Sequence, residues 1–333
     1  MHACGNDHRY AFITGIIRAC EAKMLNAERI DQLVQADSPN HIVGILRDTV
    51  YREFIGDNAV TNTLSRLPQL RREWLFRLIE DYAFHEELGD LLKVGYDYHN
   101  IKILLKERIF EQDNADALVD TGTIGREMLM DIFHNENYAS LPPSMRKGVT
   151  EAIDAYYTTR RAIIIDLVLD GTLLKDLLER AKRIQCPLIM AHFRLAIDLS
   201  NLQTALRARG MEHEAVIKEN LFIQGGEIDR PTLEVLMDKG VKEVAAVAAE
   251  QGLDRIVRAS AEYPTNPFAI ERESDNTLLD RLRPARFLLW GMEPVFAFGF
   301  AVEMELKILG IIISCRQAGL SPEWIRMRLP EPF

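Results

Sequence analysis

Gly122-Thr123-Ile124-Gly125-Arg126 and Gly226-Glu227-Ile228-Asp229-Arg230 align without a gap, and each opens the same apolar spacing. The spacing is Leu or Ile, four residues, Leu or Ile, two residues, Leu or Ile: Ile124, Leu129, Ile132 in the first stretch and Ile228, Leu233, Leu236 in the second. It occurs earlier as Leu25, Ile30, Leu33, and again in frayed form as Leu320 and Ile325, with Arg328 in the third place and Leu329 beside it. Asp229-Arg230-Pro231 and Ser321-Pro322-Glu323 each combine a helix-capping residue with a first-turn proline. Each copy of the motif therefore predicts a helix start.

A second landmark precedes the last three copies: Tyr98-His99-Asn100-Ile101-Lys102, Leu199-Ser200-Asn201-Leu202-Gln203 and Met304-Glu305-Leu306-Lys307. Two landmarks in one order imply triplication of a helical unit of roughly a hundred residues, the signature of scaffolds and binding surfaces more than of a single catalytic pocket. The boundaries predicted are 10–123, 124–227 and 228–333, preceded by a disordered 1–9.

Helix-period spacing dominates the whole chain, and alternation of the strand type is not sustained anywhere. The fold class expected is all-α. Leu188, His192, Leu195, Leu199, Leu202 and Leu206 predict one helix from Pro187 to Gly210. Further helices are predicted over Trp74–Leu92, Asp97–Arg108, Thr150–Asp170, Lys175–Arg183 (with a break near Gly171) and Pro294–Arg316. Loops are expected at Asp37-Ser38-Pro39, Leu141-Pro142-Pro143-Ser144 and Tyr263-Pro264-Thr265-Asn266-Pro267.

Composition narrows function. The chain has 333 residues, 47% hydrophobic and 27% charged, which is ordinary for a globular protein. A formal net charge of -10 argues against a broad nucleic-acid surface. The four cysteines, Cys4, Cys20, Cys186 and Cys315, have no CxxC spacing and read as reduced thiols. Pro294–Val302 and Ile308–Cys315 are the longest apolar stretches, well short of the ~20 residues of a membrane helix. Met1–Arg9 does not read as a signal peptide.

Catalytic and cofactor chemistry find little support. No Gly-Lys dipeptide exists, so a P-loop is excluded, and Gly225-Gly226 reads as a turn. None of the eight histidines has a Glu three positions upstream, against a di-iron bundle. His2, Cys4 and His8 lie in the terminus expected to be disordered, without a preorganised metal geometry. The carboxylates of Glu80-Asp81-Tyr82-Ala83-Phe84-His85-Glu86-Glu87 stand one turn apart on a predicted helix and define one alternative, an all-α magnesium-dependent enzyme. The cluster Arg281-Leu282-Arg283-Pro284-Ala285-Arg286 reads as a solvated loop or a surface for an acidic partner. No Ser/His/Asp or Cys/His set is nominated, and no cofactor or metal is expected.

The chain resembles the C-subunit family of V/A-type ATPases, whose eukaryotic counterpart is the d subunit. The resemblance is carried by Arg18-Ala19-Cys20-Glu21-Ala22-Lys23-Met24-Leu25, Leu46-Arg47-Asp48-Thr49-Val50-Tyr51, Asp97-Tyr98-His99-Asn100-Ile101-Lys102 and Ile165-Asp166-Leu167-Val168-Leu169-Asp170. It continues in Gly291-Met292-Glu293-Pro294, Glu303-Met304-Glu305-Leu306-Lys307 and Gly319-Leu320, so that it runs from about residue 10 to 329. Departures are Gln203 where Lys follows Asn100 by two, and Glu305 where Asn would stand. The resemblance implies three similar helical domains around a pseudo-threefold axis, forming a funnel. That body would join the central-stalk rotor subunits to the membrane proteolipid ring during ATP-driven ion transport or ATP synthesis. It would be cytoplasmic and peripheral to the membrane, with no span and no catalysis of its own. Asn100, Asn201 and Glu305, recurring at equivalent places, are then candidates for the cavity lining or partner interface, or for helix-to-helix hydrogen bonds. The alternative outside this family is an α-helical repeat adaptor for other protein partners.

Overall fold

The computed structural model describes residues 7–55, 60–111, 115–208, 220–239, 253–262, 266 and 268–333. Among them helices form the architecture and no strand occurs. In order the α-helices are α1 (Ala11–Glu21), α2 (Ala27–Gln35), α3 (Pro39–Leu46), α4 (Val60–Tyr82), α5 (Glu86–Phe110), α6 (Arg126–His134) and α7 (Pro143–Thr159). There follow α8 (Ile163–Ile184), α9 (Pro187–Ala208), α10 (Arg230–Lys239), α11 (Asp254–Glu262), α12 (Ala269–Leu282), α13 (Met292–Gln317) and α14 (Pro322–Arg328). They group into two compact units, Met1–Leu88 with Ala245–Phe333, and Gly89–Val244.

All four motif copies sit immediately before a helix in the same register. The first motif residue is followed by one residue and then by the first helical position: Leu25 before α2, Ile124 before α6, Ile228 before α10 and Leu320 before α14. Asn26 accepts from the Arg29 amide at 2.9 Å, Asp229 from Thr232 at 3.0 Å and Ser321 from Trp324 at 3.4 Å, so three of the starts carry a side-chain cap. The later motif positions face inward: Ile30, Leu33, Leu129, Ile132, Leu233, Leu236 and Ile325 are buried. Ser38 and Pro39, read as a loop, cap and open α3, and Pro143 opens α7.

In the discontinuous unit α13 is the central element, buried along 17 of its 26 residues and packed against α1, α2, α4, α12 and α14. A helix apolar on every side belongs in a core, and no described helix is long and apolar enough to cross a membrane. In the Gly89–Val244 unit α7 packs on α8, α8 on α9 and α9 on α10. Lys102 and Lys106 of α5 reach Asp170 and Asp166 of α8 at 2.7 Å each, a ladder at i, i+4 spacing on both helices.

Three expectations need correction. Gly171 does not break a helix: α8 runs through it, and the interruption falls at 160–162, where Arg160 takes φ 54° and ends α7. A mid-helix glycine costs only about 1 kcal/mol, and here the space it leaves sits against Ile223. Trp74–Leu92 is not one helix either. α4 ends at Tyr82 and α5 begins at Glu86, with Phe84 drawn out of the helical path to pack edge-on against Tyr10 at 5.7 Å under the Arg9 guanidinium. Finally, Asp7, His8 and Arg9, expected within a disordered terminus, are held in place. The Asp7 carboxylate caps a short 3-10 turn over His8–Tyr10, Tyr10 is fully buried, and the His8 ring lies 4.3 Å from that of Trp290. Residues 1–6, most of the loop 263–267 and Gly210 lie outside the described residues.

Candidate functional site

The candidates Asn100, Asn201 and Glu305 are buried, at 1%, 1% and 4% exposure, and each grips backbone from another segment of its own unit. Asn100 on α5 accepts from the Val119 amide at 3.0 Å and donates to the Val119 carbonyl at 2.8 Å. Asn201 on α9 repeats this with Ile223, at 2.7 and 2.8 Å. A primary amide carries a donor and an acceptor side by side, so it satisfies both groups of one peptide residue that water cannot reach.

One turn earlier on the same helices stand Asp97, which opens the family-like stretch ending at Lys102, and Asp198, which no quoted motif contains. Asp97 accepts from the amides of Thr123 and Ile124 at 3.0 Å each and from the Thr123 hydroxyl at 2.5 Å. Asp198 accepts from the amides of Glu227 and Ile228 at 2.9 Å each. The donating amides are those of Ile124 and Ile228, which open motif copies, and of the residue before each, so the two sequence landmarks are bound to each other. The matching glycines now have a reason. A Cβ on Gly122 or on Gly226 would overlap the clasping carboxylate oxygen, so only glycine admits the acid to the backbone. Burial pushes both aspartates above the usual carboxylate range in spite of these hydrogen bonds.

The third site uses different residues for the same task. Glu305 of α13 accepts from the Leu25 amide at 2.6 Å, across 280 residues of sequence, and from the Tyr51 hydroxyl at 2.6 Å. Leu25 is the first residue of the first motif copy, as Ile124 and Ile228 are of theirs. Val302 occupies the place of Asp97 and Asp198 on its helix, so the longer Glu at the Asn position supplies the carboxylate. No acid then crowds the residue two before the motif, and Lys23 stands where the other copies need glycine. In the fourth copy the Leu320 amide bonds instead to the Cys315 carbonyl at 3.0 Å, with no side-chain clasp among the described residues.

Glu305 sits beside a buried cation. Arg71 of α4 is 0% exposed and its three guanidinium nitrogens have no hydrogen-bond partner among the described residues. Its guanidinium is instead held over the rings of Trp74 at 4.3 Å, Tyr51 at 5.7 Å and Phe54 at 5.8 Å. Burial drives the Glu305 carboxyl upward, while Tyr51, the Leu25 amide and the Arg71 charge pull it down without cancelling the rise. Burial and Glu305 together push the Tyr51 phenol well above its ordinary value, so it remains a donor. Arg71, Tyr51 and Trp74 are the parts that sequence reasoning missed; only the family-like stretch ending in Tyr51 pointed near them.

Two residues beyond the landmark, Lys102 reaches Asp170, and Lys307 reaches Asp275 at 2.6 Å and Glu271 at 3.2 Å. Gln203 occupies this place in the middle copy. The magnesium alternative loses its geometry, because Glu80 and Asp81 end α4 while Glu86 and Glu87 open α5. Among the described residues no group of three or more His, Cys, Asp or Glu side chains is placed to hold a metal ion. The basic cluster is partly engaged within its own unit: Arg283 bonds to Asp280, Glu331 and the Pro332 carbonyl, and Arg286 lies 5.2 Å over Phe333.

Comparison with known proteins is consistent along the whole chain. The family model described as ATP synthase (C/AC39) subunit matches residues 13–328. The V-type sodium ATPase C subunit of Enterococcus hirae is 23% identical over 97% of this chain and 99% of its own length. The A-type ATP synthase C subunits of Methanocaldococcus jannaschii and Thermococcus gammatolerans are 23% and 24% identical, covering 96% and 95% of this chain and 86% and 88% of theirs.

Proposed function

Because the chain belongs to the ATP synthase (C/AC39) subunit family, we propose that it is a non-catalytic central-stalk subunit of a V/A-type rotary ATPase. It joins the rotor stalk to the membrane proteolipid ring, peripherally on the cytoplasmic face, while ATP chemistry and ion passage take place in other subunits. In this reading the blocks 10–123, 124–227 and 228–333 are three versions of one helical unit around a pseudo-threefold axis.

The observation that carries the reading is the recurrence of the clasp. A carboxylate on a long helix captures the amide that opens a motif copy three times: Asp97 with Ile124, Asp198 with Ile228, and Glu305 with Leu25. The last joins the C-terminal part of the chain to its N-terminal part. A linear repeat adaptor keeps its first and last repeats apart, so this joining favours a closed body over a solenoid. A transmitter of torque must also resist deformation, and buried, satisfied backbone clasps stiffen the segments between helices.

The test is binding of the purified chain to the stalk subunit pair and, separately, to detergent-solubilised proteolipid ring from the same source. Binding to both is expected. Binding to neither, by a chain whose circular dichroism shows it folded and helical, rejects the proposal in favour of the adaptor.

A further inference from the structure

Two helix connections of the discontinuous unit, the turn between α4 and α5 and the longer segment between α12 and α13, are bridged by the short turn His8–Tyr10. The His8 ring lies 4.3 Å from that of Trp290, while Tyr10 packs on Phe84 at 5.7 Å and the Arg9 guanidinium stands 5.2 Å over the same ring. Phe12, two residues on, lies 5.3 Å from Tyr82. Around this bridge the protein leaves large apolar side chains in solvent. Phe287 at 86% and Leu289 at 69% are the most exposed of their kind among the described residues, and Phe12, Phe84 and Tyr82 stand at 66%, 54% and 41%.

This exposure does not come from a loose loop. Arg18 donates to the carbonyls of Ala285 at 2.8 Å and Leu288 at 3.0 Å, and Arg283 donates to the Pro332 carbonyl at 2.9 Å. Leu288 is extended, at φ -80° and ψ 136°, so Phe287 and Leu289 leave the backbone on the same side. Phe84 and Leu289 also stand equally far before Asn100 and Glu305, and the matching residue before Asn201 is the polar Gln185. Apolar tips thus belong to the two copies gathered in this unit. Side chains of this size at these exposures leave on the order of 600 Å² open, at the top of what a monomer ordinarily shows and near the ~800 Å² per partner of a stable interface.

The charges beside the two tips have opposite signs. Asp81 and Glu86 flank the Phe84 turn, whereas Arg281 and Arg286 precede Phe287; all four are exposed and enter no ion pair among the described residues. An anionic lipid surface would attract the second tip and repel the first. A second copy turned about a twofold axis sets each acidic tip against a basic one, with the apolar side chains between them. We infer that this face is where two copies of the chain associate. The association is a property of the chain by itself and does not rest on the rotary reading.

Sedimentation velocity of the full chain over rising concentration tests this, with circular dichroism to check that each variant is folded. The parent is expected to dimerise with a dissociation constant of roughly 10–100 µM, and Phe287→Ser/Leu289→Ser to remain monomeric. Arg281→Glu/Arg286→Glu and Asp81→Lys/Glu86→Lys are each expected to weaken the dimer about tenfold or more. Mixing these two variants, or combining all four changes in one chain, restores opposite signs at both contacts and is expected to return affinity to within about threefold of the parent. A parent that is monomeric at ~200 µM overturns the inference, as does a dimer indifferent to the loss of Phe287 and Leu289 or charge-reversed variants that stay weak when mixed. A monomeric parent that floats with phosphatidylserine-containing vesicles, and fails to do so as Phe287→Ser/Leu289→Ser, overturns it in favour of a lipid surface.

Discussion

The clasps of the Gly89–Val244 unit and that of the discontinuous unit meet the same need with different resources. In the first, an Asp and an Asn one turn apart divide the work, and the segment they hold follows in sequence by about thirty residues or fewer. In the second, one Glu does the holding across 280 residues, and it comes with a fully buried arginine caged by three aromatic rings. The difference teaches what a buried carboxylate requires. Where hydrogen-bond donors from a short loop surround it, they suffice. Where Val302 removes the Asp position and only one backbone amide is within reach, a tyrosine hydroxyl and a nearby cation complete the environment. The pair is thereby more exposed to damage, because each buried charge depends on the other.

The largest effect expected is from that dependence. Glu305→Ala leaves Arg71 buried without its counter-charge and is predicted to lower unfolding free energy by about 3–5 kcal/mol in urea titration. Arg71→Met is predicted to cost a similar amount, and Arg71→Met with Glu305→Gln to cost less than the sum of the single changes. A strictly additive double variant breaks the comparison, since it removes the coupling on which it rests.

Asp97→Asn and Asp198→Asn come next, at about 1.5–3 kcal/mol each, because the amide accepts one of the two backbone N–H groups and turns a donor toward the other. Gly226→Ala is predicted to cost about 1–3 kcal/mol by displacing the Asp198 carboxylate, whereas Lys23→Ala, at the matching place in the first copy, is predicted to fall within ~0.5 kcal/mol of the parent. Equal costs at the two places contradict the explanation given for the glycines.

The smallest effect is in pH dependence. Asp97 and Asp198 have native values raised by burial, so the folded state binds their protons more tightly than the unfolded state does. Their contribution is therefore greatest below the ordinary aspartate value of about 3.9 and is lost as pH rises through the raised native value. In the Asp198→Asn variant the stability curve should flatten across that window; an unaltered slope there removes the burial argument for Asp198.

Much of the fold was legible because the signals were local. A capping residue and an apolar spacing of helical period fix a helix start, and the register found before α2, α6, α10 and α14 is the one the motif predicts. Asn100, Asn201 and Glu305 were legible as landmarks by recurrence alone. What they touch was not, since a bond between Glu305 and Leu25 leaves no local trace. The break at Phe84 and the continuity of α8 through Gly171 were misread for the same reason: packing of Tyr10 on Phe84 and of Ile223 by Gly171 outweighed propensity. The Asp97 and Asp198 clasps did carry a signal, an Asp three residues before each landmark Asn together with a Gly two before each motif Ile, and its replacement by Val302 and Lys23 marked where the solution changes.

The most direct test of a shared clasp is amide hydrogen exchange at Leu25, Ile124 and Ile228 in the parent, Glu305→Gln and Asp198→Asn chains. Slow exchange is predicted at all three amides in the parent, faster exchange at Leu25 alone in Glu305→Gln, and faster exchange at Ile228 alone in Asp198→Asn. Exchange at Leu25 that is fast in the parent, or indifferent to Glu305, would contradict the claim that one clasp, in two chemical forms, holds each motif in place.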